Sequence, residues 1–407
     1  MTNPNTAPLA QDFVTAAQVP DPQRYFFHDP DLTRLDDGTL IIAAPQWGRR
    51  DHRNLGRQLR LLRSDDGGAS WEDLPTLPYE EGMVFVLDGQ LYLFGQKEFH
   101  RDILIATSPD RGQTWSDPVR VIEGPIWNIS TAMLQRRDYT YWAMDWDLPD
   151  LTHGGKVMVR IDRRRSLLDP AAWELSNIVE PPPLPDSLTR QLFPPENPLN
   201  FRWPNNFVWL EPNTVEVGGQ IRVFTRCVID QYATANLAAA LDYDPDTNQL
   251  RFTQFAGWPG AQCKFFIISD PQSRTYWMLS NLVTNSQDLL GWGGRMEQSG
   301  YHGAAGNERR WLFLHYSIDC LNWFPAGCVA RWPDHANRSF MYPSAVTDGD
   351  DLVILSRTSR DSGDQHDADL CTIHRVPNFR ALALDLHRGG LAYARVRPAL
   401  LKHSSAT

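Results

Sequence analysis

Several short segments of this chain carry residue types that bind polar ligands or metal ions. Asn205 and Lys264 each lie near the start of a stretch with β-strand character, where a polar side chain can point into a cavity. Trp203, close to Asn205, offers a flat apolar face on which a ring can stack. The run 365–369 contains a histidine and two aspartates, but it lacks a second histidine at the spacing of a metal site. These segments predict a ligand cavity that includes Asn205 and Lys264, and no metal or other cofactor.

A repeated turn sequence indicates the elements that position such residues. Residues 64–71 and 108–115 both follow the pattern Ser-x-Asp-x-Gly-x-[Ser/Thr]-Trp, and a version one residue shorter occupies residues 317–323. The aspartate can bond its own backbone and the glycine can take positive φ, which suits a tight turn between strands. The closing tryptophan can pack between neighbouring units. A period of about 40–50 residues is typical of propellers and related arrays.

Hairpin signals recur along the chain in the same way. Asp-Gly or Gly-Gly turns separate apolar, alternating runs within residues 32–44, 83–94, 214–224 and 344–355. Together with looser strand-like runs they define six units, which we place at residues 25–75, 80–120, 126–176, 203–256, 263–324 and 339–380. The sequence therefore predicts an all-β fold, a six-bladed β-propeller of four-stranded blades.

The predicted propeller forms a single domain over residues 25–400. Residues 1–24 are expected to be an N-terminal extension, and the Pro-rich insertion 180–204 is expected to be a surface loop. A mostly apolar stretch, residues 391–396, is a candidate for closing the last blade.

Composition narrows the partners and the compartment. The chain has 407 residues and a net charge of −10, which disfavours nucleic acid and an anionic membrane because phosphate binding requires a basic face. It contains neither a signal-peptide pattern nor an apolar run long enough to span a membrane. The five cysteines follow no regular framework, so we interpret them as free thiols. The expected location is the cytoplasm.

The six units, the repeated turn sequence after the third strand of a unit and the Asp-Gly hairpins together resemble the sialidase superfamily of six-bladed propellers. The resemblance covers residues 25–380. In that superfamily three arginines hold the substrate carboxylate, because a guanidinium fork matches a carboxylate. An aspartate is the acid/base, and a tyrosine activated by a glutamate attacks the sugar.

The resemblance assigns roles to particular residues. Met341-Tyr342-Pro343-Ser344 resembles the segment that carries the nucleophilic tyrosine in the superfamily, which nominates Tyr342 as the nucleophile. Glu216 precedes a hairpin as the tyrosine activator does, and Asp51 lies in a loop where the acid/base is found. The carboxylate ligands implied by the resemblance are Arg226 and either Arg309 or Arg310, whose side chains point to opposite faces of a strand.

The first blade departs from the family pattern. Its members begin this blade with Arg-Ile-Pro, whereas this chain has His28-Asp29-Pro30, so His28 stands where the first arginine is expected. An imidazole donates one or two hydrogen bonds and does not form a fork. Arg24 or Arg50 could compensate. His28 and Tyr342, on adjoining blades, could instead act as base and acid of a lyase that removes the proton α to a uronate carboxylate.

Three functions follow as hypotheses. The first is an exo-acting glycoside hydrolase that removes a terminal acidic sugar, sialic acid or a related ulosonic or uronic acid, from an anionic glycan. The second is a polysaccharide lyase acting on a uronate linkage. The third is a propeller that binds carbohydrate without catalysis, since the turn repeat supports the fold far more than any reaction.

Overall fold

The computed structural model describes residues 7–148, 151–185, 208–228, 236–282, 309–333 and 337–384, with the side chains of residues 151–153 left out. The first strand is β1 (Val14–Gln18). The next five are β2 (Tyr25–Phe27), β3 (Asp31–Arg34), β4 (Leu40–Gly48), β5 (Arg57–Ser64) and β6 (Glu72–Asp73). They are followed by β7 (Glu81–Leu87), β8 (Gln90–Gln96), β9 (Ile103–Ser108) and β10 (Val119–Ile122).

The middle of the chain supplies two further groups of strands. The first group is β11 (Ile126–Trp127), β12 (Leu134–Gln135), β13 (Tyr139–Leu148), β14 (Leu151–Asp162) and β15 (Trp173–Leu175). The second group is β16 (Val208–Val217), β17 (Gln220–Val228), β18 (Leu237–Asp244) and β19 (Gln249–Gly257).

The last groups are β20 (Phe266–Asp270), β21 (Thr275–Asn281), β22 (Trp311–Ser317) and β23 (Phe324–Arg331), and then β24 (Ser339–Asp348), β25 (Asp351–Ser359) and β26 (Leu370–Val376). These strands form six separate antiparallel sheets, so the predicted six-bladed β-propeller is confirmed. Blade 1 is β2–β6, blade 2 is β7–β10, blade 3 is β11–β15, blade 4 is β16–β19, blade 5 is β20–β23, and blade 6 is β24–β26 with β1. Within the described ranges, no helix has the length and apolar character needed to cross a membrane.

The last blade is closed by the N-terminal end of the described chain. Strand β1 pairs antiparallel with β26, with Val14 opposite Ile373 and Gln18 opposite Leu370. Residues 14–18, expected to be an extension, are therefore the fourth strand of blade 6, and they tie the two ends of the propeller together. The stretch 391–396, expected to close this blade, lies outside the described residues.

The repeated turns after the third strands share one hydrogen-bond network. In the first, the Ser64 hydroxyl accepts the Gly68 N–H and donates to Asp66, while the Trp71 Nε1–H donates to the Gly68 carbonyl. The turn at residues 108–115 repeats these contacts. In the shorter turn at 317–323, Cys320 takes a positive φ of 55°. The turns are thus folding devices at the outer strands of blades 1, 2 and 5.

The first strands of the blades adjoin one another around a central axis, where β3 contacts β7 and β24. A polar belt joins them: Asp31 accepts hydrogen bonds from the Val84 N–H and from the Ser130 and Ser344 hydroxyls. Asn213 does the same in the other half, accepting from the backbone N–H groups of residues 132 and 267. Along the first strands, the residues after this belt surround a cavity of about 490 Å³. The residues before the belt form the site described below.

Candidate active site

The first strands of three blades carry the same short motif where they approach the central axis. It consists of an ionisable or phenolic residue, a proline and a small polar residue of the belt: Asp29-Pro30-Asp31, Glu211-Pro212-Asn213 and Tyr342-Pro343-Ser344. Strands β16 and β24 shift register here, and Glu211 and Tyr342 take positive φ values of 59° and 48°. Bulges of this kind re-aim a side chain, and strained non-glycine residues cluster at functional sites.

Tyr342 lies buried among arginines. The Arg357 guanidinium carbon is 4.4 Å from the centre of its ring, and that of Arg309 is 5.0 Å away. Burial raises the pKa of the Tyr342 hydroxyl, the negative charge of Glu211 raises it further, and Arg226 and Arg309 oppose the shift. The phenol therefore needs a neighbouring base before it can act as a nucleophile.

Glu211 is the carboxylate that can supply this base. Its Oε2 lies 2.8 Å from the Nε of Arg226, and both side chains are buried. Burial raises the pKa of Glu211, while Arg226 and Lys264 act in the opposite direction. A raised pKa makes the ionised form of a carboxylate a stronger base.

Glu216, which the sequence nominated as the tyrosine activator, lies at the opposite end of β16. Its carboxylate is 39% exposed and pairs with Arg136 at 2.8 Å, next to the turn at Gly218. The expectation failed because it placed the activator close to the hairpin, whereas the site lies at the bulge where β16 begins. The carboxylate of β16 that lies at the bulge is Glu211.

His28 forms a compact polar cluster at the entry of blade 1. Its Nδ1 is 2.5 Å from Glu81 Oε1 and 3.1 Å from Asp29 Oδ2, and its ring stacks on Trp47 at 4.0 Å. Burial raises the pKa of Glu81 to about 7, and His28 opposes that shift. A carboxyl group with such a pKa is poised to exchange a proton near neutral pH.

Arg357 connects this cluster to the tyrosine. It is completely buried, its Nη1 bonds Asp29 at 3.0 Å, and it donates to the His366 carbonyl. A guanidinium thus approaches Tyr342 from β25, whereas Arg24 and Arg50, the two alternatives named as possible replacements for the missing arginine, are exposed. One potential ligand atom from each of residues 28, 29 and 81 lies within 4.8 Å of the others, with the His28 Nδ1 facing both carboxylates and Arg357 bonded to Asp29.

Of the remaining predicted residues, some lie in the site, some lie on the surface, and some lie outside the described residues. Arg309 is buried with its guanidinium over the Tyr342 ring, whereas Arg310 donates to the Pro333 carbonyl at 2.7 Å. Asp51 is exposed on the 3-10 helix Arg50–Leu55. The preceding Arg49 bonds the carbonyls of residues 362 and 367, so this loop adjoins the loop that carries His366. Trp203 and Asn205 lie outside the described residues.

A buried ion pair in blade 3 fixes the backbone of Glu211. The Lys156 Nζ is 2.5 Å from Asp145 Oδ1 and also donates to the Trp209 carbonyl at 2.9 Å. The other oxygen of Asp145 accepts the Glu211 N–H at 2.8 Å. The ion pair therefore holds β16 by hydrogen bonds to the backbone of residues 209 and 211.

We expect Lys156→Met to lower the free energy of unfolding by about 3–5 kcal/mol, because it leaves the Asp145 carboxylate buried without its cation. Urea unfolding of both proteins measures the difference. The double variant Lys156→Met/Asp145→Leu should recover part of the loss, since it also removes the unpaired charge. Equal stability of wild type and Lys156→Met would contradict the ion pair.

No protein-family model matches this sequence, and no curated protein matches it. Solved structures do. An α-L-arabinanase from Penicillium chrysogenum, complexed with arabinobiose, superposes with a TM-score of 0.58 at 14% identity, over 91% of this chain and 98% of that one. A Fusarium graminearum α-L-arabinofuranosidase with an iminosugar inhibitor gives 0.53 at 12%, over 90% and 98%.

A Trypanosoma rangeli sialidase in complex with sialic acid gives a TM-score of 0.55 at 13% identity, over 88% of this chain and 55% of that longer one. The sequence-based resemblance to sialidase-type six-bladed propellers is therefore confirmed for the fold. Identities this low establish the architecture, and the activity has to be argued from the residues of the site.

Proposed function

We propose that this protein is a glycoside hydrolase that removes a terminal sugar from a glycan. The proposal rests mainly on Tyr342. This tyrosine is buried on a strained bulge, the charge of Glu211 acts on it, and the guanidinium groups of Arg309 and Arg357 lie over its ring. The neighbouring structures, with their bound arabinobiose, iminosugar and sialic acid, support a sugar as the ligand of a propeller with this fold.

In the proposed reaction the Tyr342 oxygen attacks the anomeric carbon while Glu211 takes the phenolic proton. The bond to the leaving oxygen breaks, and a general acid donates a proton to that oxygen. Water then attacks the glycosyl-tyrosine, its proton goes to the deprotonated acid, and Glu211 returns a proton to the departing phenolate. The products are the free sugar and the shortened glycan.

For the substrate we propose an acidic terminal sugar, sialic acid or a related ulosonic or uronic acid. Three guanidinium groups, those of Arg226, Arg309 and Arg357, gather around Tyr342. Arg226 is paired with Glu211 and Arg357 with Asp29, so a substrate carboxylate would share them with these residues. His28 would add a hydrogen-bond donor to this group from blade 1.

A panel of sialyl, uronate and neutral arabinose glycosides tests the proposal, with reducing ends and near-ultraviolet absorbance read together. We expect new reducing ends from the acidic glycosides and no absorbance change. Cleavage of arabinosides alone would keep the hydrolase and overturn the acidic sugar. Saturable binding without any turnover would leave a carbohydrate-binding propeller.

The lyase is the second candidate, and the His28–Glu81 pair favours it. A carboxylate on Nδ1 fixes the ring so that Nε2 can exchange a proton, which suits abstraction of the proton α to a uronate carboxylate. Elimination would leave an unsaturated uronate that absorbs in the near ultraviolet. The panel therefore separates the two reactions.

In the hydrolase, Asp51 and Glu81 are the two candidates for the general acid. If Glu81 serves, activity falls as the pH rises through about 7, because its carboxyl group then loses the proton it must give. We expect Glu81→Gln to abolish this basic limb in the pH profile of kcat/KM and to lower the activity about 10²–10⁴-fold. Asp51→Asn is the matched variant, and loss of the limb there instead would make Asp51 the acid.

A further inference from the structure

Lysine is scarce in this chain and is placed selectively. There are four lysines against 35 arginines. Two of the four, Lys156 and Lys264, are fully buried, and each contacts a strand that bears a site residue. Lys156 grips the strand of Glu211, as described above, and Lys264 contacts the strand of Tyr342.

Lys264 lies at the entry of blade 5 and reaches across to blade 6. Its Nζ donates to the carbonyl of Pro343, the residue that follows Tyr342. The backbone is strained at this point, since Tyr342 has a positive φ and β24 shifts register there. A donor on the adjoining carbonyl fixes the peptide and, with it, the direction of the phenol.

The charge of Lys264 acts on the other partner of the pair. The charged groups that face it are Glu211 from β16, Asp31 and Asp29 from blade 1, and Arg226 from β17. Burial lowers the pKa of Lys264 to about 8, and the three carboxylates oppose the shift. At neutral pH it is therefore an ammonium ion, and its charge lowers the pKa of Glu211.

We propose that Lys264 is a positioning residue that acts on both halves of the nucleophilic pair. It holds Tyr342 through the Pro343 carbonyl, and its positive charge keeps Glu211 ionised and able to take the phenolic proton. This inference rests on the proposed hydrolase. The sequence predicted Lys264 as a sugar contact; because its ammonium is buried and bonds the Pro343 carbonyl, the inference assigns it instead a role behind the reacting atoms.

The kinetic test is Lys264→Met, with the exposed Lys97→Met as the matched control. We expect kcat to fall about 10²-fold with little change in KM, because a misplaced nucleophile costs rate more than binding. The acidic limb of the pH profile, where Glu211 becomes protonated, should move up by about one unit or more. Lys264→Arg, which keeps the charge, should leave that limb in place.

A second measurement follows the charge of Lys264 in the wild-type protein. With four lysines, protein labelled with ¹³C at the lysine ε-carbon should give few enough signals to follow one by one. One signal should titrate near pH 8 and disappear in Lys264→Met. Titration of the Lys264 signal at the ordinary value, about 10.4, would overturn the inferred charge effect.

The possible outcomes distinguish a failure of the Lys264 role from a failure of the proposed hydrolase mechanism. If Tyr342→Phe is inactive while Lys264→Met keeps both kcat and the acidic limb, Lys264 has no positioning role and the hydrolase stands. A lowered melting temperature in Lys264→Met with unchanged kcat and limb would also overturn the role, since it shows a purely structural residue. If Tyr342→Phe retains full turnover, the assignment of Tyr342 as the nucleophile fails first, and the role of Lys264 fails with it.

Discussion

Replacing Glu211 with glutamine should lower kcat on a cleavable glycoside by about 10²–10⁴-fold, the usual contribution of a positioned general base. Glutamine preserves the size of the side chain and keeps an oxygen beside Arg226, but it cannot take a proton from Tyr342. The expected loss therefore reports the charge of residue 211 and not its volume. Initial rates across the pH range measure it.

Glu216→Gln is the matched control, because it is the same substitution five residues along the same strand. Its carboxylate pairs with Arg136 beside the hairpin, far along β16 from the bulge, so we expect unchanged kcat and KM. Equal losses in both variants would point to damage to β16, and a loss confined to Glu216→Gln would restore the assignment made from sequence. Melting temperatures of the two proteins check that both fold.

The fold was predictable because propellers repeat their local signals. Each hairpin has its own turn residues, and the outer turns of blades 1 and 2 have the same side-chain network, so one local pattern could be counted along the chain. The closure of blade 6 was not predictable in the same way. Strand β1 is only five residues long and has one buried residue, Ala17, so it lacks the alternation that identifies a strand.

The site was predictable only in part, and the misses have a common physical cause. Tyr342 and Arg226, nominated through neighbouring residues, lie in the candidate site, but Glu211 and Arg357 reach it through bulges and contacts across blades that no local pattern reveals. One signal was present in the sequence. An ionisable or phenolic residue before proline and a small polar residue marks blades 1, 4 and 6, and comparing those three segments would have selected Glu211 over Glu216.

Tyr342→Phe should abolish turnover, with a loss of at least about 10³-fold, because removing a nucleophile removes the step that all later steps require. The ring remains under Arg309 and Arg357, so the variant should fold and bind a competitive sugar ligand as the wild type does. Initial rates and ligand titration measure the two quantities separately. Retained binding with lost turnover is the expected pair of results.

Trapping the intermediate identifies the nucleophile directly. A 2-fluoro or 3-fluoro glycoside with an activated leaving group slows release of the sugar more than its transfer to the enzyme, so a glycosylated protein should accumulate. Mass spectrometry of peptides should place the added sugar on Tyr342, and Tyr342→Phe should remain unlabelled. A tyrosine suits an acidic sugar because the neutral phenol avoids the repulsion that a carboxylate nucleophile would meet. A label on Glu211 or Asp29 would instead give this propeller the two-carboxylate chemistry of most glycosidases, and it would favour a neutral sugar as the substrate.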